Sequence, residues 1–309
     1  MSEETNPPAS GARVPWPEVH PAARAAVEEF LGASVIEAVT QQGGFSPAAA
    51  VRLRAANGRR AFVKAVGPEP NPDSVRLYQA EAKIAAALPE SVPAPRLLTD
   101  FEIEGWVVLV FEDVEGRHPE LPWRRAELDR VMEAVRRMSA ALTPTPIEAP
   151  PIAEVFGQAF RGWRELLDED TTGLDPWALR HVGALAELES GWAEAAAGDT
   201  LLHADLRADN LLLTEDRVYV VDWPWACVGA SWFDSLGMLP SVAMQGGPPP
   251  QELFPDPDPA ATAVIAAFTG YLVRQGRRPP PPGLPTVRAF QRAQGVVALD
   301  WLKQRTGWV

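Results

Sequence analysis

Cysteine is almost missing from this chain of 309 residues. Cys227 stands alone, which excludes an internal disulfide and a cysteine-built zinc cluster. Lysine is nearly as scarce: Lys64, Lys83 and Lys303 are the only lysines among 28 basic residues. Asparagine occurs at Asn6, Asn57, Asn71 and Asn210 alone. A residue type that a chain avoids is informative where it does occur. No apolar run reaches the roughly 18 residues of a membrane span, and the opening Met1-Ser-Glu-Glu-Thr-Asn-Pro-Pro8 lacks the basic-then-apolar order of a signal peptide. The net charge of −13 repels nucleic-acid backbone. These absences predict a soluble cytoplasmic protein with no membrane or nucleic-acid partner. They leave the oligomeric state open. What is present is a hydrophobic fraction of 46%, enough for a proper core.

Residues 1–18, rich in proline, glutamate and small residues, are predicted to form a loose arm. The spacing of Ala23, Val27, Phe30 and Leu31 predicts an amphipathic helix from His20 to Ala38. Gln41-Gln-Gly-Gly-Phe-Ser-Pro47 reads as a glycine turn. Val51, Leu53 and Ala55 alternate with polar and small neighbours as in a half-buried strand, and Asn57-Gly58 is a strong hairpin signal before the returning strand Phe62–Val66. A helix from Ser74 to Leu88 follows, with Pro89 just past its end. Trp106–Phe111 is a continuous apolar run, expected of a buried strand. Beyond about residue 117 helical spacing dominates, at 125–142, 153–168, 176–197, 259–275 and 284–304. One short strand pair, Asn210–Leu213 and Val218–Val221, interrupts it.

That strand pair carries the most informative pattern. Leu201-Leu-His-Ala-Asp-Leu-Arg-Ala-Asp-Asn210 places His203, Asp205 and Asn210 on a loop, and Val218-Tyr-Val-Val-Asp222 ends the next strand on an acid. An aspartate on a loop accepts the proton of an attacking hydroxyl, while an asparagine oxygen and a carboxylate suit magnesium held against phosphates. The pattern predicts Asp205 as catalytic base and Asn210 with Asp222 as metal ligands.

These residues resemble the aminoglycoside phosphotransferase and choline/ethanolamine kinase family, whose usual forms are His-Gly-Asp-Leu-His-x-x-Asn and Ile-Asp-Trp. Ala204 and Arg207 depart from that form, while Trp223 favours the small-molecule branch over protein kinases. The resemblance implies an α+β, two-lobed, protein-kinase-like fold. A small antiparallel-sheet lobe (1–113) would bind nucleotide, and a larger, mainly helical lobe (114–309) would hold the catalytic loop and the acceptor. By the same resemblance Lys64 meets the phosphates of ATP or GTP, Glu81 fixes Lys64, and Gly43, Gly44, Phe45 and Ser46 cover the phosphates. The Glu112 carbonyl and Val114 amide would hold the base. Arg207 either contacts the γ-phosphate or pairs with a surface acid. Asp234 either supports the catalytic loop or caps a helix.

The acceptor is less constrained. The family favours an aminoglycoside-like molecule, to which Glu165, Asp168, Glu169, Asp170 and Asp300 offer charge. Trp163, Trp177, Trp232 and Trp301 could instead line a pocket for a quaternary amine or a macrocycle. A kinase of a metabolic alcohol or sugar, and a non-catalytic nucleotide-binding module, are the remaining readings.

Overall fold

Alternating burial along the first hundred residues builds one antiparallel sheet. The computed structural model describes residues 7–9, 11–69, 72–255 and 258–309. Its strands β1 (Val35–Thr40), β2 (Ala49–Ala55), β3 (Arg60–Val66), β4 (Leu97–Ile103) and β5 (Trp106–Phe111) lie in the order β1-β2-β3-β5-β4. The β2–β3 hairpin turns at Asn57-Gly58, where Gly58 takes a φ of 84° and donates to the Ala55 carbonyl at 2.9 Å. Val63, Ala65, Val108 and Val110 cover one face of the sheet and pack against helix α1 (Pro21–Leu31). Val66, Val107 and Leu109 cover the other and meet Tyr78 and Ala82 of helix α2 (Pro72–Ala87). Lys64, out of phase with Val63 and Ala65, therefore faces α2.

Two sequence expectations change here. The helix expected to reach Ala38 stops at Leu31, because Gly32 takes the left-handed cap (φ 73°) and Val35–Thr40 pairs with β2 as an edge strand. The arm expected to be loose over 1–18 lies partly outside the described residues, but from Gly11 onward it packs. Trp16 is buried in the sheet core, and the Val14 amide donates to the Ala48 carbonyl at 3.3 Å. A buried indole is a large apolar anchor.

The second lobe is mainly helical: α3 (Arg125–Ala141), α4 (Ile152–Phe156), α5 (Gly162–Leu166), α6 (Pro176–Ser190) and α7 (Trp192–Ala195) precede two short strand pairs. Strand β6 (Thr200–Leu202) pairs with β9 (Cys227–Gly229), and β7 (Leu211–Leu213) with β8 (Val218–Val220). Helices α8 (Phe233–Met244), α9 (Pro250–Leu253), α10 (Pro259–Gly276) and α11 (Val287–Thr306) complete it. The single helix expected over 153–168 is two, separated by 157–161. The buried Glu189 of α6 accepts the Trp163 and Arg164 amides at 3.0 and 2.9 Å, which satisfies the fresh start of α5. One core runs through the lobe from Leu128 and Val135 to Leu201, Leu236 and Val264. The fold is thus α+β and two-lobed. No helix among the described residues is long and apolar enough to cross a membrane.

Candidate active site

Paired strands β6/β9 and β7/β8 hold two loops, 203–210 and 221–226, side by side at the face of the second lobe. His203 ties them together. Its Nδ1 accepts the Asp205 amide at 3.2 Å and its Nε2 donates to the Val221 carbonyl at 2.9 Å. Burial holds its pKa below the ordinary value despite Asp234, so the ring is the neutral tautomer that this pair of bonds requires. Asp234, at the start of α8, accepts the His203 and Ala204 amides at 2.8 Å each, which makes it the support of this loop rather than a cap of its own helix. Ala204 sits at φ 63° and Asp222 at φ 71°. Both are left-handed positions that cost a non-glycine residue roughly 1 kcal/mol, and both persist because the surrounding bonds fix them.

Across the cleft, Lys64 is 8% exposed and bonds the Glu81 carboxylate, Asp222 Oδ1 at 2.6 Å, and the Tyr78 ring at 4.8 Å. Burial alone would depress the lysine, but the Asp222 and Glu81 charges outweigh it and hold its pKa above the ordinary value. Burial works to raise Asp222 as well, and Lys64 reverses that, keeping it below the usual carboxylate range. Sheet, helix and the 221–226 loop thus converge on one ammonium.

The glycine turn lies over this point. Gly43 (φ 96°) and Gly44 (φ 69°) take conformations that a side chain resists, and Ser46 Oγ meets the Tyr78 hydroxyl at 3.1 Å. The cleft beneath is lined by Gly43, Lys64, Glu112, Val114, Asn210 and Asp222, among others. Glu112 donates its amide to the Arg96 carbonyl at 2.9 Å, and the Val114 carbonyl accepts from Gly116 at 3.0 Å. The Glu112 carbonyl and Val114 amide are the groups these bonds leave over.

Asn210 is 2% exposed and spends its amide nitrogen on the Asp205 carbonyl at 2.8 Å. That fixes its Oδ1 as the acceptor end. Asn210 and Asp222 are hard oxygen donors, and no group of three or more His, Cys, Asp or Glu residues suited to a metal occurs among the described residues. Two protein oxygens beside an open cleft fit a magnesium ion completed by phosphate oxygens and water.

Asp205 and Arg207 open instead into a second cavity of about 920 Å³. Burial pushes the Asp205 carboxyl up to about 6, against the pull of Arg207. Arg207 bonds Asp205 Oδ1 and grips Asp209 with Nε at 3.0 Å and Nη2 at 2.9 Å. Its partners are half-buried acids of its own loop, not a carboxylate elsewhere on the surface. Trp163, Trp177 and Trp301 are core residues, and none of the four tryptophans named in the sequence lines this cavity. Glu165 alone of the five named acids does.

Some site residues escape sequence reasoning. Arg13 pins the glycine turn through the Gly43 and Ser46 carbonyls, and Asp113, its side chain 4% exposed, locks the 112–116 segment to Arg52 and Arg60 of the sheet. Tyr78 and Tyr271 carry a signal: they are two of only three tyrosines.

Comparisons with known proteins bear on the family and the fold. The family model described as the phosphotransferase enzyme family matches residues 39–279. A thermostable mutant of aminoglycoside phosphotransferase APH(4)-Ia, in ternary complex with ADP and hygromycin B, superimposes with a TM-score of 0.61 at 16% identity, over 93% of this chain and 99% of that chain. A choline/ethanolamine kinase family protein from Mesorhizobium loti gives 0.59 at 15%, over 92% and 93%. Amicoumacin kinase hAmiN in complex with AMP-PNP, Ca2+ and Ami gives 0.53 at 11%, over 85% and 88%. No curated protein matches the chain significantly. At these identities the superpositions establish the fold, and the family model spans most of the sequence: the chain belongs to the phosphotransferase enzyme family and is a small-molecule kinase.

Proposed function

We propose that the protein transfers the γ-phosphoryl group of ATP or GTP to a hydroxyl of a small molecule in a magnesium-dependent reaction. The division of labour follows the lobes, 1–113 for nucleotide and 114–309 for acceptor. The observation that carries this reading is the meeting of Lys64, Asp222 and Asn210 at the nucleotide cleft, with Asp205 turned into the neighbouring cavity.

In this reading the Glu112 carbonyl and Val114 amide hold the base edge, and Gly43 to Ser46 close over the phosphates. Lys64, steadied by Glu81, neutralises phosphate charge. Asn210 and Asp222 would hold Mg²⁺, which would offset charge gathered on the phosphates. Asp205 orients the acceptor hydroxyl and takes its proton as the new oxygen–phosphorus bond forms. The bond from the γ-phosphorus to its bridging oxygen breaks, and the nucleoside diphosphate leaves. The transition state is loose, so positioning and electrostatics supply most of the rate. Arg207 acts through Asp205, whose orientation it sets.

The test is nucleotide consumption with Mg²⁺ against aminoglycosides, macrolides, amino alcohols and sugars, for wild type and Asp222→Ala. Consumption with one class and its loss in Asp222→Ala is the expected result. Unchanged turnover in Asp222→Ala, with any acceptor, would remove the assignment.

A further inference from the structure

Resting on that reading and deepening it, we propose that the acceptor is an uncharged hydroxylated molecule with a broad apolar ring system, not a polycation. A cavity of about 920 Å³ takes a molecule of drug size. One wall is aromatic. Phe156 and Phe160 stack at 5.2 Å, Trp225 lies 6.0 Å from Phe156, and Phe268 stacks on Tyr271 at 6.3 Å. Phe156, Trp225, Phe268 and Tyr271 all keep part of their surface uncovered, a flat apolar platform for rings.

Charge in the cavity is already matched. Glu165 is held by Arg274 and by the Gln158 amide at 2.8 Å, Asp205 by Arg207, and Asp222 by Lys64. Asp234 is occupied by two backbone amides, and Asp73 stands at the exposed rim beside Arg76. A polyamino sugar would have to strip arginines from these acids, because an ammonium needs carboxylates and finds them taken. The arginines of the lining are matched as well, Arg278 by Glu169 at 3.4 Å. Arg288 stands behind Gln291, bonded to the Pro279 carbonyl at 3.3 Å and to Gln291 Oε1 at 2.8 Å. Arg288 has no carboxylate partner among the described residues, and burial together with the Arg278 charge holds its pKa below the ordinary value. A guanidinium without an acid of its own, close behind the cavity wall, disfavours a cation.

The polar side chains point to hydroxyls and carbonyls. Gln294 is 6% exposed, lines the cavity, and makes no side-chain hydrogen bond among the described residues. An amide that reaches the cavity without a protein partner is available to bond an acceptor hydroxyl or carbonyl.

The experiment measures phosphorylation and tryptophan quenching with four probe classes: polyamino sugars, quaternary amino alcohols, neutral glycosides of aromatic or macrocyclic aglycones, and the same glycosides bearing a carboxylate. The neutral glycosides are expected to show kcat/KM at least about tenfold above the polyamino sugars. Trp225→Ala and Gln294→Leu are each expected to raise their KM about fivefold, with the nucleotide KM unchanged. Gln294→Glu, a near-isosteric change that adds the missing charge, is expected to shift preference towards amines. A polyamino sugar as the best acceptor, glycosides that neither react nor quench, or folded variants with unaltered KM would each overturn the proposal. Failure of the underlying reaction looks different: no class is phosphorylated, and Asp205→Asn consumes nucleotide as wild type does.

Discussion

The Arg207 guanidinium lies 5.3 Å from the centre of the Phe45 ring, and Phe45 in turn meets Phe290 edge-on at 5.3 Å. The glycine turn of one lobe is thereby seated on the 203–210 loop and the last long helix of the other. A cation over a ring is worth about 1 kcal/mol or more once desolvated, and here the same cation holds Asp205. Arg207→Ala removes both contacts. It is expected to lower kcat about tenfold or more, given that charge-assisted bonds contribute about 1.5–3 kcal/mol each, and to raise the nucleotide KM. Arg207→His, the common residue of the family pattern, is expected to recover most of kcat. Steady-state kinetics of the two variants decide this.

Lys64 is the shared partner of two acids, so its loss strands both. Lys64→Met is expected to destabilise the fold by about 3–5 kcal/mol, the cost of breaking a buried ion pair from one side. The double variant Lys64→Met/Glu81→Leu, which removes one stranded charge, is expected to be more stable than the single. Urea unfolding of the set reads the difference.

Ala204 occupies a left-handed position at φ 63°. Ala204→Gly relieves steric strain of roughly 1–2 kcal/mol and gives back part of it through the more flexible unfolded chain. The variant is expected to melt slightly higher, with a gain of about 0.5 kcal/mol or more in stability. A lower melting temperature would mean that the strain is not there.

Stability against pH has a clear contributor at Glu189. Burial pushes this carboxyl up to about 7, against two backbone amides that favour its charged form. The sign follows from linkage. The unfolded carboxyl ionises near its ordinary 4.5, whereas the folded one still holds its proton there. The stabilisation is therefore complete below about pH 4.5 and is lost as pH rises through about 7. Glu189→Gln is expected to flatten the fall in melting temperature between about pH 5 and about pH 8 relative to wild type.

Much of this is legible in the sequence. Asp205, Asn210 and Asp222 stand at strand ends framed by apolar runs, and such frames leave a strict spacing behind them. Lys64 stands out because the chain avoids lysine. The edge strands β1 and β4 leave little trace, since none of their residues is fully buried and their apolar side chains mark no core. The break between α4 and α5 is hidden because its stabilising group, Glu189, sits on α6, 26 residues after Trp163. The acceptor wall is equally hidden. Phe156, Trp225 and Phe268 come from three separate elements, and no local periodicity records their meeting. The tryptophans that do show helical spacing go to the core, the commoner fate of such residues.

The most direct test of the account is transfer of label from γ-labelled nucleoside triphosphate to an accepted hydroxyl, with Mg²⁺, by wild type and Asp205→Asn. The substituted amide keeps the shape of the side chain and loses the proton acceptor. Nucleotide binding is expected within about threefold of wild type, and transfer lower by about 100-fold or more. Transfer by Asp205→Asn at the wild-type rate would contradict it.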